Sequence, residues 1–300
     1  MADAYRCGTV AIVGRPNAGK STLLNRLVGQ KVSITSRRPQ TTRHRLIGIR
    51  TLPTAQLVYV DTPGIHSADS SSHLGRIMNR AARGSLEGVD VVVLVMTADG
   101  WRDEDDAALS LVQGVECPVV LAINKVDQLE NRATLLPLMD TSARHRPFTA
   151  IVPLSARTGE NVPELERLLV SLIPEQPPLY DPDQLTDRSE RFLAAEFVRE
   201  QVFRAIGQEV PYSVAVEISE FRVEPKHTHI EAVIWVEKEG QKAIVIGAKG
   251  EQLKKIGRAA RLEIQKALGR KVWLGLWVKV REGWADDARV LKSLGYAEDE

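Results

Sequence analysis

Apolar positions along this chain follow one rhythm up to about residue 173, and the pattern restarts near residue 191. In the first part, short unbroken apolar runs alternate with stretches whose apolar positions recur every three or four residues. The runs are Gly8 to Val13, Val91 to Met96, Val119 to Ile123 and Ala150 to Leu154. Unbroken runs of this length read as strands buried on both faces, as in a parallel sheet. Helical spacing covers Lys20 to about Val28, then 74–86, 103–114, 131–142 and 162–172. Residues 45–51 and 56–61 lie on either side of Pro53 and predict a hairpin, which adds one antiparallel edge strand. Strand–helix alternation predicts a doubly wound α/β domain. Its functional loops should gather at the carboxyl ends of the strands.

Residues 174–190 hold four of the fifteen prolines and read as an extended, semi-rigid connection. The expected organisation is a domain over 1–173, a linker over 174–190 and a second domain over 191–300. In the second domain, 190–207 reads as a helix, and 213–223 and 229–238 alternate as strands. A short helical run, a turn at Gly247 to Gly250, an amphipathic helix over 251–268 and a strand over 272–281 follow. That mixture is α+β. The tail from Glu282 turns acidic and predicts a short closing helix.

Composition adds little to this picture, except by exclusion. The chain is 43% hydrophobic and 26% charged, as expected of a globular protein. Two cysteines, Cys7 and Cys117, cannot make a disulfide framework, and both read as small core or rim residues. No secretory signal is read in "MADAYR", and every apolar run is far shorter than the roughly 20 residues of a membrane span. A cytoplasmic protein is expected, and a monomer.

Four short motifs sit at the predicted strand ends, in a fixed order. The first is "GRPNAGKST": Gly14, Arg15, Pro16, Asn17, Ala18, Gly19, Lys20, Ser21 and Thr22. Its glycines let successive backbone N–H groups turn toward one anion, and the following helix offers its N-terminus to the same phosphates. Lys20 adds a point charge, and Ser21 supplies a hydroxyl for Mg²⁺. This loop alone does not separate an ATPase, a kinase and a GTPase. The second motif is Asp61, Thr62, Pro63 and Gly64, in which Asp61 reaches Mg²⁺ and the Gly64 N–H senses the γ-phosphate. The third is Asn124, Lys125 and Asp127 in "NKVD", and the fourth is Ser155 and Ala156. An ionised Asp127 matches the paired donors of guanine, N1–H and the exocyclic amine, which adenine lacks. Asn124 braces the loop, Lys125 lies along the base plane, and Ala156 offers a backbone N–H to the guanine O6. The expected ligands are therefore GTP or GDP with Mg²⁺.

Two loops read as switches. Residues 66–73 are polar and turn-rich, and 31–43 form a basic loop in which Thr41 or Thr42 supplies a second Mg²⁺ ligand. Thr42 is the preferred of the two. The expected chemical group is thus Lys20, Thr42, Asp61 and Gly64, with Ser21, Thr42 and Asp61 on the metal. Ile65 stands where many GTPases have a water-orienting glutamine, so slow intrinsic hydrolysis or an outside element is implied. Asn17 either ligates a monovalent cation such as K⁺ beside the phosphates or simply stabilises its loop.

The second domain carries a different signal. Its element order and its GxxG turn resemble a KH domain of the prokaryotic type, a module whose turn clamps about four nucleotides. The candidate RNA contacts are Gly247, Ala248, Lys249 and Gly250, with Lys254, Lys255 and Arg258. Between Gln241 and Arg281 there are eleven Lys or Arg against only Glu251 and Glu263, although the whole chain carries a formal charge of +1. A local excess of this size is a footprint for a polyanion. Trp273 and Trp277 share one face of the last strand and read as core or interface aromatics more readily than as base-stacking platforms.

Taken with "TDRSERF", "PYSVAVEI" and "WVKVREGWADD", these motifs resemble the Era family of bacterial GTPases over essentially the whole chain. Ala18 departs from that family's usual "GRPNVGKS" by one small residue. The resemblance implies a GTPase domain followed by a KH domain that binds the 3′ end of 16S rRNA. It also implies a role in assembly of the small (30S) ribosomal subunit, and association with the inner membrane. The competing reading is a membrane-associated or cell-cycle signalling GTPase whose second domain grips protein or lipid.

Overall fold

A computed structural model describes residues 4–36, 41–62, 73–206, 214–287 and 291. It divides into two compact units, each with its own sheet. The first holds the described residues of 1–33, 42–68 and 78–187; the second holds those of 34–41, 69–77 and 188–300.

The first unit is a six-stranded sheet in the order β2-β3-β1-β4-β5-β6. Its strands are β1 (Arg6–Val13), β2 (Leu46–Thr51), β3 (Ala55–Asp61), β4 (Val91–Thr97), β5 (Val119–Asn124) and β6 (Ala150–Pro153). All neighbours run parallel except β2, which pairs antiparallel to β3 with Leu46 opposite Asp61. Every residue of β3, β4 and β5 is buried, which is why the β4 and β5 stretches read as continuous apolar runs. Among the described residues the α-helices of this part of the chain are α1 (Lys20–Val28), α2 (His73–Gly84, of which 78–84 belong to this unit), α3 (Asp103–Val112), α4 (Leu135–Ser142) and α5 (Val162–Leu172). The chain leaves β1 toward β3 on one side and reaches β4 on the other. The strand order therefore reverses beside β1, where open α/β sheets bind ligands.

The segment after α5 does not stand free. Cys7 N–H donates to the Pro174 carbonyl, and Gln176 N–H donates to that of Tyr5. Gln56, fully buried, accepts from the N–H groups of Leu179 and Tyr180 at 2.8 and 2.9 Å. The Ile49 N–H donates to the Leu185 carbonyl. The segment is not extended throughout: it bends at 179–180 and turns at 182–183, where the Gln184 N–H donates to the Asp181 carbonyl. The backbone donors of β1 and β2 and the Gln56 side chain then hold it along the sheet.

The second unit runs α6 (Glu190–Ala205), β7 (Ala215–Val223), β8 (Thr228–Val236), α7 (Glu239–Ile246), α8 (Glu251–Leu268) and β9 (Val272–Val280). β8 is central, antiparallel to β7 and parallel to β9. On α8, Ile256, Ala260 and Ile264 recur every four residues and are buried; on α6, Ala194, Phe197, Val198 and Val202 form the matching face. Of the two readings of Trp273 and Trp277, core or interface, the structure does not place them in the core. They are 45% and 44% exposed, on either side of Gly275. A Cβ on Gly275 would come within 2.9 Å of both indole rings, so the small residue lets them lie close to the strand. Of the closing helix, Trp284 begins a single 3-10 turn and is fully buried; most of the later tail lies outside the described residues.

Candidate nucleotide site and nucleic-acid groove

The loop between β1 and α1 carries backbone that only particular residues adopt. Gly14 has φ +152°, and a Cβ there would lie 2.3 Å from the Val95 carbonyl oxygen. Gly19 has φ +102°, and a Cβ there would lie 2.2 Å from Asn124 Nδ2. Asn17 has φ 61° and is exposed, a conformation that asparagine tolerates better than most residues. No side chain caps α1, so the N–H groups of its first turn are left to meet an anion.

Lys20 begins α1 and is buried. Its Nζ donates to the carbonyls of Gly14 and Arg15 at 2.8 and 3.0 Å, inside the curl of the loop. Burial pushes its pKa down to about 8, partly countered by Asp61. Arg15 points away from the loop. Its guanidinium meets Thr97, Asp99 and Asp105, the last at 3.2 Å, so only its backbone is left to face a phosphate. Burial also raises the Asp105 carboxyl, to about 6 despite the adjacent Arg15.

Three side chains from separate segments converge beside Lys20. Ser21 Oγ donates to Asp61 Oδ2 at 2.7 Å and lies 2.8 Å from Thr42 Oγ1. Thr42 Oγ1 is 3.4 Å from the same Asp61 oxygen. Asp61 is fully buried, and its other oxygen, Oδ1, has no hydrogen-bond partner. Desolvation raises its pKa, with Lys20 and the hydroxyls of Ser21, Ser33 and Thr42 pulling the other way. A buried carboxylate with one oxygen unpartnered and the hydroxyls of Ser21 and Thr42 on its other oxygen is a donor set that fits Mg²⁺, which takes hard oxygen ligands. Thr41 does not join this group; its hydroxyl lies 2.7 Å from Ser36 Oγ. Ser33 does join it. It is buried, donates to Asp61 Oδ2 at 3.1 Å, and is positioned by Asn25, which bonds the backbone of Val32 and Ser33. Sequence reasoning passed over both, because an isolated serine and a mid-helix asparagine carry no pattern.

Thr62 is buried and donates to the Ile12 carbonyl at 3.0 Å, which fixes the turn out of β3. Pro63, Gly64, Ile65 and most of the 66–73 segment lie outside the described residues, as do 37–40 in the other expected switch.

At the ends of β5 and β6, Asn124 joins three loops. Its Nδ2 donates to the Ala18 carbonyl at 2.8 Å, and its Oδ1 accepts from the N–H groups of Lys125 and Ala156 at 2.8 and 2.9 Å. The Ala156 N–H, expected to face a base, is thus engaged by Asn124. Asp127 has its two oxygens on Ser155 Oγ and on Arg157. Burial alone would raise its pKa, but these donors outweigh it and hold the carboxyl below its usual range. Arg157 was not among the expected residues. Its exposed guanidinium presents N–H donors to Asp127, as guanine's N1–H and exocyclic amine would. Lys125 has φ 67° at the start of the turn and is half buried, which lowers its pKa.

In the second unit, Gly247 (φ 70°), Lys249 (φ 51°) and Gly250 (φ 79°) make the sharp turn between α7 and α8. A Cβ on Gly247 would lie 2.6 Å from that of Gln252. Beside the turn runs a groove of about 520 Å³ lined by Gly250, Lys254, Arg258, Arg261 and the apolar Leu274 and Leu276. Lys254, Arg258 and Arg261 follow helical spacing on one face of α8. Lys255 is exposed and does not line the groove. Arg261 does, and the same spacing was the signal that could have found it.

The comparisons with known proteins agree with this arrangement. A family model described as a 50S ribosome-binding GTPase matches residues 9–125, and one described as a KH domain matches 209–285. GTPase Era of Stenotrophomonas maltophilia (strain K279a) is 52% identical over 292 residues, covering 97% of this chain and 98% of the relative. GTPase Era of Ectopseudomonas mendocina (strain ymp) is 52% identical over 298 residues and 99% of each chain. Among solved structures, Era in complex with MgGDPNP and nucleotides 1506–1542 of 16S ribosomal RNA superimposes with a TM-score of 0.94. That structure is 42% identical, and the match covers 98% of this chain and 99% of that one. A GTP-type phosphate loop, a guanine-type aspartate and a GxxG groove thus lie in one chain alongside full-length relatives, and the chain belongs to the Era family of GTPases.

Proposed function

We propose that this chain binds and hydrolyses GTP with Mg²⁺ in its first unit. We further propose that it binds 16S rRNA near its 3′ end through the second and acts in assembly of the 30S subunit. The observation that carries the reading is the meeting of Ser21, Thr42 and Asp61 beside Lys20, with an unpartnered carboxylate oxygen among them. In this reading the backbone N–H groups of 14–21 cradle the phosphates. Lys20 leaves the Gly14 and Arg15 carbonyls for the β- and γ-phosphates, and Ser21, Thr42 and Asp61 hold the metal. When bound there, Mg²⁺ would bridge phosphate oxygens and offset the charge of the transferring group. Asp127 exchanges Arg157 for guanine, and Gly64 senses the γ-phosphate. We assign 1–173 to the GTPase domain, 174–190 to the connection and 191–300 to the RNA-binding domain.

The matching family description names the large ribosomal subunit, whereas the solved relative was crystallised with small-subunit RNA. The solved relative, 42% identical over 98% of this chain, supports the second of these, and the GxxG turn and cationic groove of the second unit suit a nucleic acid. They suit single-stranded RNA, whose backbone can pass close to Gly247 and Gly250. Among the described residues no helix is long and apolar enough to cross a membrane. Its relatives over the full chain are Era GTPases, and we assign it to the cytoplasm on that basis.

The test is filter or fluorescence binding of an oligonucleotide from the 16S rRNA 3′ end, with a non-hydrolysable GTP analogue and with GDP. Saturable binding that an unrelated sequence does not match is expected, together with GTP turnover that stops when Mg²⁺ is removed. Equal affinity for scrambled RNA would overturn the RNA assignment and leave the nucleotide site standing.

A further inference from the structure

The solvent face of the second sheet carries a cluster that neither nucleotide chemistry nor the GxxG groove uses. Strands β7 and β8 pair with a bulge between Ile218 and Glu220. A bulge re-aims the side chains that follow it. Here it sets Glu220 directly opposite Glu231, and Arg222 opposite His229. Like charges opposite one another on paired strands destabilise the pair, so the arrangement needs a cation. Arg222 takes one oxygen, with Nε 2.6 Å from Glu220 Oε1. The remaining oxygens face one imidazole nitrogen: His229 Nε2 lies 3.7 Å from Glu220 Oε2 and 3.5 Å from Glu231 Oε1.

Those distances are informative. A charge-assisted N–H···O bond is shorter, about 2.7–2.9 Å. Around zinc, with bonds of about 2.0–2.1 Å, neighbouring ligand atoms in a tetrahedron lie about 3.3–3.4 Å apart. The two oxygen-to-nitrogen distances, 3.7 and 3.5 Å, are close to that spacing, and all three donor atoms lie within 4.8 Å of one another. The ring that must stay fixed is fixed: His229 stacks on Trp273 with centroids 4.1 Å apart and planes 8° from parallel. The side chains are also partly shielded, at 18% exposure for His229 and 32% for Glu231.

We propose that Glu220, His229 and Glu231 form a binding site for a divalent cation of the zinc class, with water completing the coordination. Arg222 already offsets one of the two carboxylate charges, and a bound ion would offset the other. The imidazole favours zinc over magnesium or calcium, which prefer all-oxygen sites. Bound there, the ion would clamp β7 to β8 and hold Trp273 in place. The site is independent of the GTP and RNA readings.

The experiment uses the full chain, free of any histidine tag and stripped with a chelator, titrated with ZnCl₂ by calorimetry and by tryptophan fluorescence. One Zn²⁺ per chain is expected, with a fluorescence change that Trp273→Phe reduces without abolishing binding. His229→Ala and Glu231→Gln should each weaken affinity at least about tenfold. GTP affinity should be unchanged in both. Should His229→Ala prove less stable, the near-isosteric Glu231→Gln decides alone. No saturable binding in the parent chain, or unchanged affinity in Glu231→Gln, overturns the site.

Discussion

Asn124 donates its side-chain amide to the carbonyl of Ala18 across 2.8 Å, and this bond ties the loop after β5 to the loop after β1. The same side chain accepts from the Ala156 N–H, so base loop and phosphate loop share one support. Asn124→Ala removes both bonds and leaves a buried carbonyl without a donor. Such losses cost about 1–3 kcal/mol. GTP and GDP should both bind roughly 10- to 100-fold more weakly, read by titration with a fluorescent GDP analogue. An unchanged affinity would show that the two loops hold their shape without this bond.

Asp127 should decide the base. Its carboxyl sits on Ser155 and Arg157 and is held ionised, ready for two donors. Asp127→Asn exchanges an acceptor for a donor, which suits the 2-oxo group of xanthine. Loss of guanine affinity by about 2–5 kcal/mol is expected, with a gain for xanthosine nucleotides. If the variant still prefers GTP to XTP, Asp127 does not read the base.

Much of this was legible because the chemistry is local. The phosphate loop, "NKVD" and the GxxG turn are contiguous, and their glycines stand where a Cβ would strike backbone or side chain, as at Gly14 and Gly247. Strand and helix positions followed from periodicity. What stayed hidden depends on partners far apart in sequence. Ser33 matters only because Asn25 turns it toward Asp61, and Arg157 only because Asp127 lies across from it. The sequence favours Thr42 over Thr41 without fixing the register; the structure adds that the Thr42 hydroxyl lies beside Ser21 and Asp61. Trp273 and Trp277 read as core or interface aromatics, and sequence alone does not separate the two. Here Gly275 between them lets the rings lie along an outer face.

Lys20 predicts a proton linkage. Its folded pKa of about 8 lies below the ordinary lysine value of 10.5, because burial disfavours the charge. The folded chain therefore binds fewer protons than the unfolded chain between those values. Stability from this group rises with pH across about 8 to 10.5, and its cost is fully present below about 8. Phosphates beside Nζ should restore the charge. GTP binding near pH 8 should then take up about half a proton, and near pH 7 about a tenth. Calorimetry in buffers of different ionisation enthalpy measures both. Zero uptake at pH 8 would mean that Lys20 is already charged before nucleotide arrives.

Asn17 separates two accounts of itself. Its φ of 61° fits a loop-stabilising role, and its exposed position in the phosphate loop fits a ligand for a monovalent cation. Asn17→Gly keeps the backbone and removes the side-chain oxygen. If K⁺ binds there, replacing Na⁺ by K⁺ at equal ionic strength should raise GTP turnover in the parent chain but not in Asn17→Gly. Equal turnover of the parent chain in both salts would leave only the backbone role.

The groove beside the GxxG turn makes the RNA reading residue-specific. Lys254, Arg258 and Arg261 line it, and Lys255 does not. A cation that neutralises a phosphate contributes to affinity and to its salt dependence, by a slope of roughly 0.7 per contact on single strands. Arg261→Ala should therefore weaken binding of a 16S rRNA 3′-end oligonucleotide and make the salt slope shallower by about that amount. Lys255→Ala should change both far less, although it removes the same charge from the same helix. Changing Ala248 and Lys249 together to Asp should weaken binding most, because two carboxylates would then stand where the RNA backbone passes. Lys249 already has φ 51°, which aspartate tolerates, so the turn itself should survive. GTP affinity should stay constant across all three variants. Equal losses for Arg261→Ala and Lys255→Ala would mean that RNA senses only the net charge of the unit, and the groove would lose its role.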